Sequence, residues 1–374
     1  MATANRRGMI AGIAAKAGPA ALVRAKSPTI LLPIFRLPKG NSMTEPRYDV
    51  LGIGNAIVDV LARTDDVFLG EHGLVKGAMT LIDAERAETL YAAMGPGIEV
   101  SGGSAANTLA GVASLGGRAA YIGKVRDDQL GAVFRHDIRA AGVAFDSTPA
   151  LDGASTARCL VLVTPDAQRT MQTYLGACVE LGPDDVPPVL VASAQVTYLE
   201  GYLWDKAAAK DAFRKAMQVA HEAARKVSLT LSDPFCVERH RAEFLELAER
   251  HIDILFANEA EIIALYRAKN FAEAMAQMRA HRRRIVVVTR SAKGSIVVAG
   301  EAVHEVPAEP IARVVDTTGA GDLYAAGFLY GLTDGRDLAS CARIGSIAAA
   351  EILAHFGARP EVPLKDLVRQ KLIN

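Results

Sequence analysis

Neither sign of charge is in excess in this chain: 42 Lys and Arg balance 42 Asp and Glu over 374 residues. Recognition of nucleic acid rests on concentrated basic charge, and this balance offers none. Cysteine is scarce, and Cys159, Cys178, Cys236 and Cys341 form no C-x-x-C pair and adjoin no histidine cluster. That pattern excludes a disulfide framework or a zinc ribbon and suits reduced thiols in a cytoplasmic protein. No apolar run reaches the roughly 18 residues that a bilayer-spanning helix needs, so no membrane partner is expected. A G-x-x-x-x-G-K-[ST] loop is also missing. Any nucleotide phosphate must therefore be held by another kind of turn.

What remains is 50% hydrophobic and 22% charged, ample for the core of one large α/β domain or two smaller ones. Residues 1–44 depart from this, since Arg6, Arg7, Lys16, Arg24, Lys26, Arg36 and Lys39 are basic and none is acidic. The segment lacks a compact charged start, a dense apolar centre and a small-residue cleavage site. A disordered basic extension, or an upstream start preceding Met43, is the expectation. An Arg-rich transit peptide is the alternative.

From Tyr48 onward, strand-like and helix-like segments alternate through residues 45–374, read as one domain. Strands are expected at 50–54, 119–123, 196–199, 227–231, 254–257 and 285–289, with helices at 105–115, 130–141, 206–224 and 242–250. Repeated alternation predicts a parallel sheet covered by helices on both faces. Residues 57–68 and 156–175 break the pattern. They are rich in β residues, with no helix directly after, and read either as a small separate sheet or as edge strands of the main one.

The most informative segment is Asp316-Thr-Thr-Gly-Ala-Gly-Asp322, after an apolar, β-branched stretch (Ile311, Val314, Val315) and before a run of helix formers. A Gly-x-Gly turn at a helix start leaves backbone N–H groups of Gly319, Ala320 and Gly321 pointing one way, at the positive end of the helix dipole. Asp322 ends the turn, placed to take a proton from a hydroxyl held at the same anion site. An anion hole and a base in seven residues point to phosphoryl transfer to an alcohol.

Two further segments would face such a site. Gly54-Asn55-Ala56-Ile57-Val58-Asp59 follows the first strand, where Asn55 and Asp59 can bond sugar hydroxyls at the carboxyl edge of a sheet. Ser101-Gly-Gly-Ser-Ala-Ala-Asn107 places Gly102, Gly103 and Ser104 in a tight turn and Asn107 one turn into a helix. Asn258-Glu-Ala-Glu261 reads as a helix cap with its reciprocal partner.

Together, the 316–322 and 101–107 segments resemble the C-terminal and N-terminal signatures of the ribokinase-type (PfkB) carbohydrate and nucleoside kinases, over about residues 48–360. The resemblance implies a ribokinase-like parallel-sheet sandwich with helices on both faces and a small β-sheet lid built from about 57–68 and 156–175. It implies that ATP is the donor, that Asp59 grips two sugar hydroxyls, and that Arg169 in the lid pairs with the transferring phosphate. Asn258 and Glu261 would organise Mg2+ through water. Thr289, Gly294, Thr318, Gly319 and Gly321 would line the nucleotide, and a helix over 348–357 would lie beside the adenine. K+ dependence is a further family trait that the sequence leaves open. The form Gly-Asn-x-x-x-Asp is closer to the purine nucleoside kinases than to the fructokinases. The expected acceptor is accordingly a nucleoside, with a sugar (ribose, fructose or a keto-deoxy acid) as the alternative and a ligand-binding regulator without catalysis as a third reading. Tyr174, Tyr202 and Phe235 are candidates for stacking on a base. The assembly is expected to be a monomer or a homodimer.

Overall fold

The computed structural model describes residues 45–166, 168–280 and 284–373; the basic N-terminal segment lies outside the described residues. Within them, nine strands form a main sheet: β1 (Tyr48–Ile53), β5 (Ala119–Ile122), β6 (Val143–Ala144), β9 (Ala194–Glu200), β10 (Lys226–Thr230), β11 (Ile254–Asn258), β12 (Ile285–Thr289), β13 (Ser295–Ala299) and β14 (Ala302–Val306). Their spatial order is β14-β13-β12-β11-β10-β9-β1-β5-β6. All neighbours from β6 to β12 are parallel, and the β12-β13-β14 edge is antiparallel. Val50 to Ile53 and Ala119 to Ile122 are buried without alternation, the mark of strands covered on both faces. The expected sandwich is the observed one.

A second, five-stranded sheet has the order β3-β8-β7-β2-β4, from β2 (Ile57–Arg63), β3 (Met79–Leu81), β4 (Gly97–Gly102), β7 (Ala157–Val163) and β8 (Arg169–Tyr174). Both segments singled out in the sequence contribute to it, but β2 stops at Arg63 and Asp66–Glu71 is helical. The cause is a helix cap: the Asp65 carboxylate accepts the N–H of Phe68 at 2.9 Å. Strands β3 and β4 were not anticipated, because β3 is three residues long and exposed throughout and β4 is bounded by glycines with a glutamate inside it.

Two other expectations change. No strand leads into the glycine turn; after β14 the chain runs irregularly through residues 307–316, and Val315 donates to the Leu353 carbonyl at 2.8 Å. The helix expected over 348–357 begins earlier and ends earlier, at Leu338–Ile352. Gly357, at φ +95°, stands in the turn that follows.

The parallel strands bring their carboxyl ends to one edge. Ile53 lies beside Leu199, Thr230 beside Glu200, and Asn258 beside Thr289. Against this edge packs the helix Ala320–Thr333, buried on most sides and held to the helix Leu338–Ile352 by backbone-close contact. A Cβ on Gly327 would lie 2.7 Å from the Gly345 Cα, and one on Gly345 would lie 2.7 Å from the Tyr324 carbonyl oxygen. Both obstacles are backbone, which does not yield as a side chain does. Gly327→Ala should therefore cost about 1–3 kcal/mol in urea unfolding by overpacking. Loss of activity is expected at temperatures where the variant is still folded, because the displaced helix carries the glycine turn.

Candidate functional site

The site begins where β1 ends. Asn55, 2% exposed, donates its amide to the Glu200 carboxylate at 2.8 Å, and the N–H of Ala105 donates to the same carboxylate at 2.9 Å. Gly54 permits this approach, since a Cβ there would sit 2.4 Å from a Glu200 oxygen. Burial pushes the Glu200 carboxyl up to about 7, although its bonds with Ala105 and Asn55 favour the charged form. The Asn55 Oδ1 atom is buried without a hydrogen-bond partner. Such an atom is costly unless a ligand satisfies it.

Asp59 lies on β2 beside the end of β4. A Cβ on Gly102 would fall 2.3 Å from an Asp59 oxygen, so glycine at 102 makes room for the carboxylate. Burial raises Asp59 to about 6, against the opposing charges of Arg359 and Arg169.

The next turn starts at Gly103, at φ +95°, where any Cβ would also strike the Asn55 carbonyl at 2.2 Å. It launches the helix Ser104–Ser114, whose first turn meets the other end of the chain. Ser104 Oγ donates to one oxygen of Asp322 at 2.6 Å, and Asn107 Nδ2 donates to the other at 3.1 Å. Asn107, expected to reach for a sugar hydroxyl, gives its Nδ2 to Asp322, and its Oδ1 is buried without a partner. Burial raises the Asp322 pKa, and these two bonds and Arg359 pull it back down.

Gly319, in the left-handed region at φ +76°, caps the helix Ala320–Thr333, and no side chain closes its N-terminus. The first N–H groups of such a helix have no intrahelical acceptor. A Cβ built on Gly321 would meet no atom within 4 Å, so open space lies over the helix start. An anion fits this cradle. Above it, Arg169 at the start of β8 reaches out of the small sheet to Asp316 at 2.6 Å and donates to the Thr318 hydroxyl. Asp316 also accepts the N–H groups of Thr318 at 2.9 Å and Gly357 at 3.0 Å.

On the far side, Asn258 and Glu261 form the reciprocal cap. The Asn258 N–H donates to Glu261 at 2.9 Å, and the Glu261 N–H donates to Asn258 Oδ1 at 2.9 Å. Glu261 is 5% exposed, and burial pushes its carboxyl up to about 7, with the Asp233 charge adding to the rise. A buried carboxylate beside another and bonded to no cationic side chain suits a hydrated divalent cation. Among the described residues no three His, Cys, Asp or Glu side chains gather as a closed metal site. Gly294, at φ +82°, closes the β12-β13 turn, where a Cβ would meet the Val306 carbonyl at 2.1 Å.

One cavity of about 1400 Å³ is lined by all of these: Asn55, Asp59, Gly103, Ser104, Asn107, Arg169, Asn258, Glu261, Thr289, Gly294 and Thr318 to Asp322. The polar and glycine candidates from sequence lie on it, except Gly102, which makes room for Asp59 from behind. Of the three aromatic candidates, Tyr202 lines the cavity and Tyr174 and Phe235 do not; Phe235 is 75% exposed elsewhere. The small sheet contributes an aliphatic wall of Ile57, Leu61, Met79, Leu81, Ile98 and Val100. Sequence reading missed Glu200, Asp316 and Arg359. A lone carboxylate ending the apolar run Val196-Thr-Tyr-Leu-Glu200 was the available signal for the first.

The sequence profile of the pfkB family carbohydrate kinases matches residues 81–365. Adenosine kinase of Saccharomyces cerevisiae is 27% identical over 350 residues, covering 88% of this chain and all of that protein (100%). The crystal structure of adenosine kinase from Sinorhizobium meliloti is 55% identical with a TM-score of 0.80, covering 87% of this chain and 99% of that one. A "probable sugar kinase protein" from Rhizobium etli CFN 42 is 50% identical with a TM-score of 0.81, covering 88% and 100%.

The Glu200 environment has a measurable sign. Its folded pKa of about 7 exceeds the ordinary 4.5, so its contribution to stability is complete below 4.5 and is lost as pH rises through 7. Urea unfolding of wild type and Glu200→Gln from pH 4.5 to 8 should show the wild-type advantage shrinking by about 3 kcal/mol. Parallel curves would show that Glu200 ionises in the folded protein without penalty.

Proposed function

We propose that this chain, which belongs to the pfkB family of carbohydrate kinases and acts on an alcohol group, takes the 5′-hydroxyl of a purine ribonucleoside, adenosine first, as its phosphoryl acceptor. The observation that carries the mechanism is the Asp322 carboxylate, fixed on both oxygens by Ser104 and Asn107 at the start of an uncapped helix. Asp322 accepts the hydroxyl proton as the new O–P bond forms and the bond from the γ-phosphorus to the ADP oxygen breaks. Backbone N–H groups of Gly319, Ala320 and Gly321 take up charge on the transferring oxygens, and Arg169 exchanges Asp316 for the same group. Positioning and electrostatics carry such a transfer, since little covalent work falls to the protein.

Asn55 and Asp59 hold the ribose from the strand ends, where the unpartnered Asn55 oxygen and the Asp59 carboxylate line the cavity. Asn258 and Glu261 would hold the water shell of Mg2+, which when bound neutralises phosphate charge. Thr289, Gly294 and Thr318 flank the ATP. The small sheet acts as a lid that excludes water from the reacting phosphate.

The aliphatic wall favours a nucleoside, because a purine base buries more apolar surface against it than a free sugar can. The adenosine kinases of Saccharomyces cerevisiae and Sinorhizobium meliloti support the same acceptor. The Rhizobium etli relative keeps a sugar as the second reading. A sugar acid is disfavoured, since the cavity arginines Arg169 and Arg239 are paired with Asp316 and Asp205 and Arg359 is engaged by Ser101 and Ala106. Turnover with Mg2+-ATP should be highest with adenosine among adenosine, guanosine, inosine, ribose, fructose and 2-keto-3-deoxygluconate, assayed with and without K+. A sugar as best substrate would keep the chemistry and reject the acceptor.

Asp322→Asn should lower kcat by about 10²–10⁴-fold, as expected for loss of a general base. Adenosine affinity by calorimetry should stay within about twofold, since binding and proton transfer are separable. Wild-type turnover in this variant would remove Asp322 from the base role.

A further inference from the structure

Arg359 lies on the turn after the helix Leu338–Ile352, far in sequence from the residues it touches. Its Nε and Nη2 donate to the Ser101 carbonyl at 3.1 and 2.5 Å, and Nη2 also donates to Ser101 Oγ at 2.8 Å. Nη1 donates to the Ala106 carbonyl at 2.8 Å. One planar fork thus spans both ends of the turn that presents Ser104 and Asn107. Ser101 is held from the other side, its N–H and hydroxyl donating to Asp137 at 2.7 and 2.6 Å. The guanidinium also lines the cavity and faces Asp59 and Asp322.

We propose that Arg359 is a positioning residue for phosphoryl transfer, clamping the Ser101–Ala106 turn so that Ser104 and Asn107 stay on Asp322 and placing a positive charge in the cavity that Asp322 faces. This rests on the reading of Asp322 as the base. A rigid fork is needed for the clamp, because lysine supplies the charge without the geometry. The charge matters because Arg169, the cavity arginine on the small sheet, is paired with Asp316 at 2.6 Å. Asp322 is otherwise faced by Glu200, Tyr198 and Tyr202, and Asp59 by Arg169, Asp322 and Cys159. Burial raises the Asp322 pKa and Arg359 lowers it. Loss of the cation therefore moves the base upward, and activity at the acidic end is lost at a higher pH.

The test is the pH profile of kcat/KM for adenosine with saturating Mg2+-ATP, in wild type, Arg359→Gln, Arg359→Lys, Glu200→Gln and Asp322→Asn. Arg359→Gln should move the acidic limb to higher pH, since removal of an opposite charge favours the protonated carboxyl. Its kcat should fall at least tenfold. Arg359→Lys should leave the limb in place while kcat still falls, which a purely structural role does not predict. Glu200→Gln identifies any part of the limb that belongs to the neighbouring carboxyl. A limb in Arg359→Gln that overlays the wild type, with Asp322→Asn inactive, overturns this proposal alone. Wild-type activity in Asp322→Asn overturns the base and this proposal together. If Arg359→Gln fails to fold, Arg359→Lys decides: a wild-type kcat overturns the clamp, and a lowered kcat on an unmoved limb supports it.

Discussion

Everything at this site depends on one hydrogen-bonded junction. Ser104 and Asn107, from the first third of the chain, hold both oxygens of Asp322 from its last fifth, 218 and 215 residues away. The junction unites the turn before the helix Ser104–Ser114 with the uncapped start of the helix Ala320–Thr333. Each helix would otherwise place its polar terminus independently. Joined, they set a carboxylate beside an anion cradle with no freedom left to either oxygen. A preorganised arrangement of this kind lowers a barrier because nothing needs to reorient as charge develops.

The main sheet serves the junction by direction. Parallel strands from β6 to β12 discharge their carboxyl ends on one edge, and polar residues at or just past the strand ends cluster there: Asn55, Glu200, Asn258 and Thr289. Burial raises two acids at this edge, Glu200 and Glu261, toward neutrality. The ribokinase-like fold in this way concentrates ionisable groups whose protonation is set by surroundings rather than by their own chemistry.

Much of this was legible in the sequence because the signals are local. Apolar runs marked β1, β5, β11 and β12, and the two glycine-rich segments marked both halves of the junction. What was not legible depends on contacts distant in sequence. Glu200 reads as an ordinary strand end until Asn55 and Ala105 are folded onto it. Arg359 reads as a loop arginine until its fork meets Ser101 and Ala106 across 253 or more residues. The short strands β3 and β4 carry no alternation strong enough to distinguish them from loops, and β2 ended early because Asp65 is a good helix cap. Asn258 and Glu261 were readable as a helix cap with its reciprocal partner, and that cap is realised in the hydrogen bonds.

The bridge from Arg169 to Asp316 has a consequence for the order of events. Arg169 belongs to the small sheet, and Asp316 belongs to the loop that leads into the anion cradle. While that ion pair stands, the two parts of the cleft are fastened by a bond that a phosphate can replace but a neutral nucleoside cannot. The donor and the acceptor are thereby unequal in what they do to the cleft. Under the proposed reading, an acceptor entering first meets a fastened enclosure, whereas a donor entering first exchanges one anion for another at the fastening. Under that reading, a preferred order of addition would follow from a single, largely buried pair of side chains.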